Sequence, residues 1–194
     1  MSHLGRKLFH LLGGLGLLSL YFILGRKNAL PLYGGLAVLV FAVETARLRI
    51  PAWNEFFYHR FGSFIRKNEQ AKLTGTVPYI LGVGLSLFAY ATPVAATAVC
   101  FLAFGDVAAT TIGERFGRTK IGSKSLEGTA AFVVFALAAG LALHITGMHL
   151  TAWVMVIGAL AAAGIELLPL PVNDNLLIPV LSGGIMEFAL RMSQ

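Results

Sequence analysis

Seven apolar runs limit how this chain can fold more than any other feature of its sequence. About twenty apolar residues cross the hydrocarbon core of a bilayer as a helix, and most of the runs approach that length. The run at 76–91 is short, so we expect it to tilt, extend or thin the membrane locally. The approximate bounds of the runs are 8–24, 29–46, 76–91, 93–113, 129–146, 150–168 and 176–190.

The composition leads to the same interpretation. Hydrophobic residues make up 57% of the 194 residues and charged residues only 12%, which leaves too few polar side chains to cover a soluble globule of this size. We therefore predict an all-α, polytopic membrane helix bundle with about seven transmembrane helices. Residues 1–194 are expected to form a single integral membrane domain.

The basic residues are distributed unequally between the two sides of this bundle. With the amino terminus in the cytoplasm, twelve of the 15 Lys and Arg residues fall on the inner side. The positive-inside rule therefore predicts a cytoplasmic amino terminus, with cytoplasmic segments at about 48–72, 114–128 and 169–175. The net charge of +6 thus indicates a membrane surface and no nucleic-acid partner. The inner residues are Arg6, Lys7, Arg47, Arg49, Arg60, Arg66, Lys67, Lys72, Arg115, Arg118, Lys120 and Lys124, and the outer ones are Arg26, Lys27 and Arg191.

The longest of these segments is predicted to contain an amphipathic helix that lies on the inner leaflet. Pro51 ends the preceding helix, and aromatic residues then recur at intervals of three and four against basic residues. We interpret the aromatic stripe as membrane contact in preference to a substrate cage. The stripe consists of Trp53, Phe56, Phe57, Phe61, Phe64 and Ile65, opposite Arg60, Arg66 and Lys67.

The stretch that begins at Phe104 carries the strongest chemical pattern. Asp106 is the first charged residue after about thirty uncharged ones. A carboxylate on a groove of small residues, followed by a basic loop broken by glycines, can hold a divalent cation and the phosphates that it neutralises. The alternative is a membrane helix that packs through small residues and ends in an ordinary basic loop. The small residues on the helical face of Asp106 are Ala109, Thr110, Gly113 and Gly117.

The predicted topology returns several acidic residues to the same membrane face. Asp106 and Asp174 are hard oxygen ligands, which suit Mg²⁺ bound to a polyphosphate. The chain contains neither a P-loop sequence nor the HRD and DFG motifs of protein kinases. Glu127, or another acid that holds no metal, is a candidate to accept a proton during phosphoryl transfer. The acidic residues of this face are Glu44, Asp106, Glu127, Glu166 and Asp174.

Two pairs of polar residues allow two interpretations each. Glu44 and Arg47 lie three residues apart on one helical face and form either a structural ion pair or part of the site. Asn173 and Asn175 offer either oxygen ligands or helix caps.

Basic residues before the first and third spans are also open to two interpretations. Arg6 and His10 lie one helical turn apart, with Lys7 between them. They either anchor the first helix among lipid headgroups or bind phosphate. Lys72, which precedes small residues at the interface, can likewise contact a headgroup or a phosphate.

In their order along the chain, these motifs resemble the dolichol kinase, phytol kinase and diacylglycerol kinase group of CTP-dependent lipid kinases. The resemblance covers most of the chain. Its most specific part is DxxAxxxGxxxG, which runs from Asp106 to Gly117 and continues to a segment similar to KKTxEG. Ser123 and Ser125 replace the first Lys and the Thr of that segment. Further matches are RKxxxH at Arg6, Lys7 and His10, ExxR at Glu44 and Arg47, LTG after Lys72, and DN at Asp174 and Asn175.

The residue pattern and the resemblance together give an expected site that contains Mg²⁺. The catalytic candidates are Asp106, Lys124 and Glu127, and the metal ligands are Asp106, Asp174 and Asn175. Nucleotide or phosphate binding is assigned to Arg6, Lys7, Gly113, Gly117, Arg118, Lys120, Ser125 and Gly128. Lipid contact or support of the site is assigned to His10, Glu44, Arg47, Lys72, Glu166 and Asn173.

The resemblance implies an integral membrane kinase that transfers the γ phosphate of CTP, or less favourably ATP, to a lipid alcohol such as a polyprenol, phytol or diacylglycerol. We expect a compact, multi-pass protein of a prokaryotic inner membrane, with the site facing the cytoplasm. One alternative is a phosphatidate cytidylyltransferase (CDP-diacylglycerol synthase), which has a similar DxxAxxxGxxFG motif, although its HGGxxDRxD signature is absent. The other is a lipid transporter or scaffold without enzymatic activity, in which the inner-face charges only anchor the protein.

Overall fold

The structure is a computed structural model that describes residues 4–62, 64 and 69–193. Ile65, Arg66 and Lys67 of the predicted amphipathic segment lie outside the described residues. The helices are α1 (Leu4–Leu24), α2 (Arg26–Arg49), α3 (Pro51–Phe61), α4 (Thr76–Ala89), α5 (Thr92–Cys100), α6 (Asp106–Phe116), α7 (Leu126–Ile145), α8 (Ala152–Leu167) and α9 (Asp174–Met192). A π-helical turn, Phe101–Gly105, joins α5 to α6, and a short hairpin, β1 (Lys120–Ile121) and β2 (Lys124–Ser125), precedes α7.

The predicted all-α membrane bundle is confirmed. Within the described residues, five helical segments are long and apolar enough to cross a membrane, and α4 and α8 are shorter apolar helices. The protein is therefore a multi-pass integral membrane protein, and the number of seven crossings stays a prediction. The five segments are Gly5–Leu24, Arg26–Arg49, Thr92–Phe116, Leu126–Ile145 and Asp174–Met192.

Contacts between helix ends show that α1 and the segment from α5 to α6 run in opposite directions. Lys7, near the start of α1, pairs with Glu114, near the end of α6, at 2.8 Å. At the opposite end of the bundle, the Tyr21 hydroxyl lies 3.2 Å from that of Thr92, so the end of α1 meets the start of α5. We call the end at which α1 begins and α2 ends the site end.

The core is centred on the continuous helical segment from α5 to α6. Every residue of α5 from Val94 onward is buried, including Ala95, Ala96 and Val99. A helix that is apolar on all sides must be surrounded by protein or lipid, and this one packs among its neighbours. The π-helical turn then brings Asp106 to the site end. π-helical turns are frequent at functional sites because they change the direction in which the next side chains point.

The predicted surface helix is present as α3. Pro51 occupies its first turn, where a missing backbone N–H costs no hydrogen bond. Trp53 and Phe56 are exposed, as expected for membrane contact, whereas Phe57 is half-buried. The aromatic stripe is thus divided between the outer surface and the bundle.

Candidate functional site

A polar cavity of about 310 Å³ lies at the site end, between α1, α6, the hairpin and the ends of α8 and α9. We call it the polar cavity. It brings together residues from both ends of the chain, since Arg6 and Asp174 both line it. The expected site residues that line it are Arg6, Asp106, Gly113, Lys120, Lys124, Ser125, Gly128, Glu166 and Asp174.

Lys124 is the central cation of this cavity. Its Nζ lies 2.9 Å from Oε1 of Glu166 and 3.2 Å from Oδ2 of Asp174, and it also donates a hydrogen bond to the backbone carbonyl of Glu166. The end of α8 and the start of α9 are therefore joined through one ammonium group. Burial lowers the pKa of Lys124, but the carboxylates of Asp174 and Glu166 outweigh burial and hold it above its ordinary value. Lys124 thus stays protonated at neutral pH.

The hairpin determines where Lys124 lies. Gly122 has a φ of 60°, in the left-handed region that a tight turn between two strands requires. The turn pairs Ile121 with Lys124 and Lys120 with Ser125. Ser125 then caps α7, because its hydroxyl accepts a hydrogen bond from the N–H of Gly128 at 3.2 Å. The side chain of Lys124 is directed into the cavity from a fixed backbone.

Asp106, at the start of α6, lies beside His10 of α1. Oδ2 of Asp106 is 3.5 Å from Nδ1 of His10, and both residues are buried. The ring of Tyr79 packs edge-on against the imidazole, with centroids 5.1 Å apart, and its hydroxyl donates to the backbone carbonyl of His10. His10 is therefore held next to the carboxylate and does not reach for lipid headgroups.

Small residues let α6, the hairpin and α7 approach closely. A Cβ added to Gly128 would lie 2.7 Å from the carbonyl oxygen of Ala109, and one added to Gly113 would lie 3.0 Å from Oγ of Ser125. A Cβ on Gly117 would also collide with Ser125, at 2.8 Å from its Cβ. Gly113 and Gly128 line the cavity, so the glycines of the motif set its shape by permitting this packing.

The charges of the polar cavity are nearly balanced. Among the described residues, four carboxylates and three Lys or Arg side chains line it. Lys7 adds a further ammonium group at the rim, where it pairs with Glu114. A nucleoside triphosphate that entered with its full negative charge would meet no net positive field, so its charge requires an additional cation.

Several expected site residues lie elsewhere. Glu127 holds the hairpin, because its carboxylate accepts the N–H of Thr119 at 3.0 Å and 3.2 Å, and it does not line the cavity. This geometry gives no support to its expected role as proton acceptor. Arg118 is exposed at the hairpin and also lies outside the cavity lining.

The two asparagines take structural positions. Asn173 is the cap of α9, with its side-chain oxygen accepting the N–H of Asn175 at 3.0 Å. The side-chain amide of Asn175 donates to the carbonyl of Gly75 at 3.1 Å, which ties α9 to the start of α4. Asn175 does not line the polar cavity, so its expected role as a metal ligand finds no support there.

Glu44 and Arg47 form a buried ion pair that holds the connection before α4. Arg47 is fully buried, lies 2.9 Å from Oε2 of Glu44 and donates to the carbonyl of Lys72 at 2.8 Å. Oε2 of Glu44 also accepts the N–H of Thr74 at 3.0 Å. Lys72 contributes its carbonyl to this cluster, and its side chain is exposed. These contacts favour the interpretation as a structural ion pair. Neither Glu44 nor Arg47 lines the polar cavity.

Four cavity residues were not among the expected site residues, namely Ala109, Thr110, Glu114 and Ser123. Ala109 and Thr110 belong to the predicted helical face of Asp106, and Glu114, eight residues after Asp106, falls on the same face by helical spacing. Ser123 has no such signal, because only the turn of the hairpin brings it to the cavity.

The donor set fits a magnesium ion that arrives with phosphates. Among the residues that the structure describes, no group of three His, Cys, Asp or Glu side chains is arranged to hold a metal by itself. Mg²⁺ in phosphoryl-transfer sites is usually bound by one or two carboxylates together with substrate phosphates. Asp106 and Asp174 line one cavity, and Oε2 of Glu166 is buried with no hydrogen-bond partner in the described part of the chain. These oxygens are sufficient for that mode of binding.

Fold and cavity together define a helical membrane protein with a charged polar cavity at one end of the bundle. Three curated proteins resemble the chain in sequence, and each is named CTP-dependent diacylglycerol kinase 1. Those of Saccharomyces cerevisiae and Eremothecium gossypii are 34% and 35% identical over 66% of this chain, and that of Schizosaccharomyces pombe is 29% identical over 73% of it. The chain is thus similar to proteins named CTP-dependent diacylglycerol kinase, and the resemblance seen in the motifs is confirmed.

The matched regions cover different shares of these relatives. The chain spans 46% and 42% of the length of the first two, and 72% of the third. No family model matches the chain. No solved structure matches it.

Proposed function

We propose that this protein is a membrane kinase that transfers the γ phosphate of CTP to the hydroxyl of a lipid alcohol, with diacylglycerol as the first candidate. The observation that carries the proposal is the polar cavity, in which Asp106, Lys124 and Asp174 meet at one end of a membrane bundle. The names of the relatives support both the nucleotide and the acceptor. They also favour a kinase over a cytidylyltransferase.

The proposed reaction forms a bond between the lipid oxygen and the γ phosphorus, and it breaks the bond from that phosphorus to the β–γ bridging oxygen. CDP leaves, and the proton of the hydroxyl must be accepted. His10, whose Nδ1 lies 3.5 Å from Oδ2 of Asp106, is placed to accept it, and the carboxylate of Asp106 would stabilise the charged imidazole. Lys124 is placed to contact the phosphates, with Arg6 and Lys120 on the walls beside it.

Magnesium is part of the proposal. Asp106 and Asp174 would hold it, with Glu166 close by, and when bound it would neutralise charge on the phosphates. The near balance of acids and bases in the cavity supports this requirement, because the protein alone offers no excess of positive charge.

We also propose that the site faces the cytoplasm of a prokaryotic cell, where nucleotides are available. The excess of Lys and Arg on the predicted inner side supports this orientation.

The proposed activity is tested with purified protein, γ-labelled CTP or ATP, and a panel of polyprenol, phytol and diacylglycerol acceptors. We expect the label in a lipid phosphate with CTP, and Asp106→Asn should remove it. Label recovered as pyrophosphate would instead identify a cytidylyltransferase. If the protein neither transfers phosphate nor binds nucleotide, the result would favour the lipid transporter or scaffold without enzymatic activity.

A further inference from the structure

A second cavity, almost entirely apolar, lies between α1, α2, α3 and the start of α4. Its volume is about 460 Å³, which is within the range of small-molecule binding sites. Phe9, Val40, Val43, Phe57 and Phe61 are among its lining residues. We call it the apolar cavity.

The one charged side chain in the described lining of this cavity is compensated. Oε2 of Glu44 accepts hydrogen bonds from Arg47 at 2.9 Å and from the N–H of Thr74 at 3.0 Å. The cavity therefore presents hydrocarbon and aromatic surface, and it does not suit a nucleotide or an ion.

The apolar cavity reaches a depth of about one leaflet, measured from the end of α2. Leu39, which lines its deeper part, lies ten residues before Arg49 at the end of α2. At 1.5 Å per residue this is roughly 15 Å, or about half of the hydrocarbon thickness of a membrane. Leu39 and Phe61 are both exposed, so the cavity is open to the lipid side of the bundle.

A narrow crevice of about 20 Å³ lies between the two cavities, and we call it the neck. It shares Arg6 with the polar cavity, and it shares Phe9, Thr74 and Thr76 with the apolar cavity. His10 also lines the neck, next to Asp106. The volume is close to that needed by a single water molecule, so the neck admits a group as small as a hydroxyl and excludes an acyl chain.

We infer that the apolar cavity binds the acyl chains of the lipid alcohol and that the neck leads its hydroxyl to Asp106 in the polar cavity. The inference rests on the proposed kinase activity and assigns the acceptor a site. The apolar cavity would face the hydrocarbon chains of a membrane alcohol, and the polar neck would face its hydroxyl group. A further apolar cavity, lined by Tyr33, Leu81 and Leu85 among others, shares no described lining residue with the neck or the polar cavity, so it does not offer this path.

The inference also explains the divided aromatic stripe of α3. Phe57 and Phe61 have ring centroids 4.8 Å apart and line the apolar cavity, whereas Trp53 and Phe56 do not. The face toward the bundle then forms part of the acceptor site, and the other aromatic residues remain available for the membrane surface.

The first test fills the cavity. Val43→Trp places a large side chain in the apolar cavity, and Val38→Trp makes the same change on the same helix at a residue that is 70% exposed and outside the cavity lining. We expect Val43→Trp to raise KM for dioleoylglycerol about tenfold or more, with KM for CTP unchanged and a smaller effect on dihexanoylglycerol. Val38→Trp should match the wild type. Equal kinetics for the two variants would overturn the assignment.

The second test needs no turnover. Wild-type protein in phosphatidylcholine nanodiscs is irradiated with a diacylglycerol that carries a diazirine in one chain, and the labelled peptides are identified by mass spectrometry. We expect label on residues 39–43 and 57–61, with competition by unlabelled dioleoylglycerol. Label without competition, or on other helices only, would reject the acceptor site even if the kinase assay succeeds. Specific label without phosphate transfer would instead contradict the proposed function and retain the lipid site.

Discussion

At the scale of single residues, the arrangement around Lys124 is the main constraint on the chemistry. One ammonium group lies between two carboxylates that belong to different helices, and a third carboxylate, Asp106, lines the same cavity. The sequence indicated the acidic and basic residues and their common membrane side. It did not indicate which acid pairs with which base, since those pairs join residues 42 and 50 positions apart.

Substitution of Lys124 should affect both stability and activity. Lys124→Ala leaves Glu166 and Asp174 without their cation, and we expect a loss of roughly 1–3 kcal/mol in the free energy of unfolding. This is less than the loss for a fully buried ion pair, because the side chain of Lys124 is 28% exposed. Thermal unfolding in detergent measures this change. Lys124→Arg keeps the charge, so it should retain most of the stability, whereas the rate of phosphate transfer should fall. Equal melting temperatures for wild type and Lys124→Ala would contradict the pairing.

The raised pKa of Lys124 gives a prediction for pH. A lysine whose pKa is higher in the folded state contributes stability below its ordinary pKa of 10.5, and the contribution is lost as pH rises through the folded value. The stability difference between wild type and Lys124→Ala should therefore be constant from pH 7 to about pH 9, apart from titration of other groups. A steady decline of that difference over this range would indicate that Lys124 loses its proton near neutrality.

Glu127 and Asp106 should respond differently to loss of charge. Asp106→Asn removes a carboxylate from the cavity, and we expect activity to fall about 100-fold or more, as when a charged group at a reaction centre is lost. Glu127→Gln alters only the hydrogen bonds to Thr119, and activity should stay within a few-fold of the wild type. Steady-state rates at saturating CTP and lipid make the comparison. A large loss for Glu127→Gln alone would restore its expected role as proton acceptor.

At the level of helices and strands, the lengths of the apolar runs predicted the membrane helices well but not their connections. The run predicted at 76–91 corresponds to α4 (Thr76–Ala89), and the run at 93–113 corresponds to α5, the π-helical turn and α6. The hairpin of β1 and β2 was not predicted, because strands of two residues are too short to show alternation. The π-helical turn leaves no signal in composition either.

The packing of α6 against α7 depends on Gly128. Gly128→Ala would place its Cβ 2.7 Å from the carbonyl oxygen of Ala109, and backbone must move to relieve the contact. We expect a loss of about 1–3 kcal/mol in the free energy of unfolding and weaker CTP binding. Gly16→Ala in α1 is the matched control, since its Cβ meets nothing within 4 Å and alanine favours a helix. Thermal unfolding and CTP titration of both variants test this, and equal effects would reject the packing role.

At the scale of the whole molecule, the fold gathers helix ends into a single charged site while leaving a path from the bilayer. The sequence predicted the sidedness of the charges from simple counting. It did not predict the apolar cavity, because that cavity depends on how α3 packs back against α1 and α2. The aromatic stripe alone gave no means to distinguish its inner face from its outer face.

Sidedness can be measured with two matched serine variants. Cys100, the native cysteine, is buried, so new cysteines can be labelled selectively. In right-side-out vesicles, a membrane-impermeant maleimide should label Ser193→Cys, whereas Ser123→Cys should react only after permeabilisation. Both serines are exposed in the structure, so access depends on the membrane side. The reverse pattern would place the polar cavity outside the cell.

The proposed reaction is the transfer of phosphate from CTP to a lipid hydroxyl in the polar cavity, with the help of a divalent cation. Its most direct measurement is the amount of labelled lipid phosphate formed per CDP released by purified protein in nanodiscs with γ-labelled CTP and diacylglycerol. We predict equal amounts of both products with Mg²⁺, and neither with EDTA or in a folded Asp174→Asn variant. CDP or pyrophosphate release without label in lipid, or full transfer by Asp174→Asn, would contradict the account.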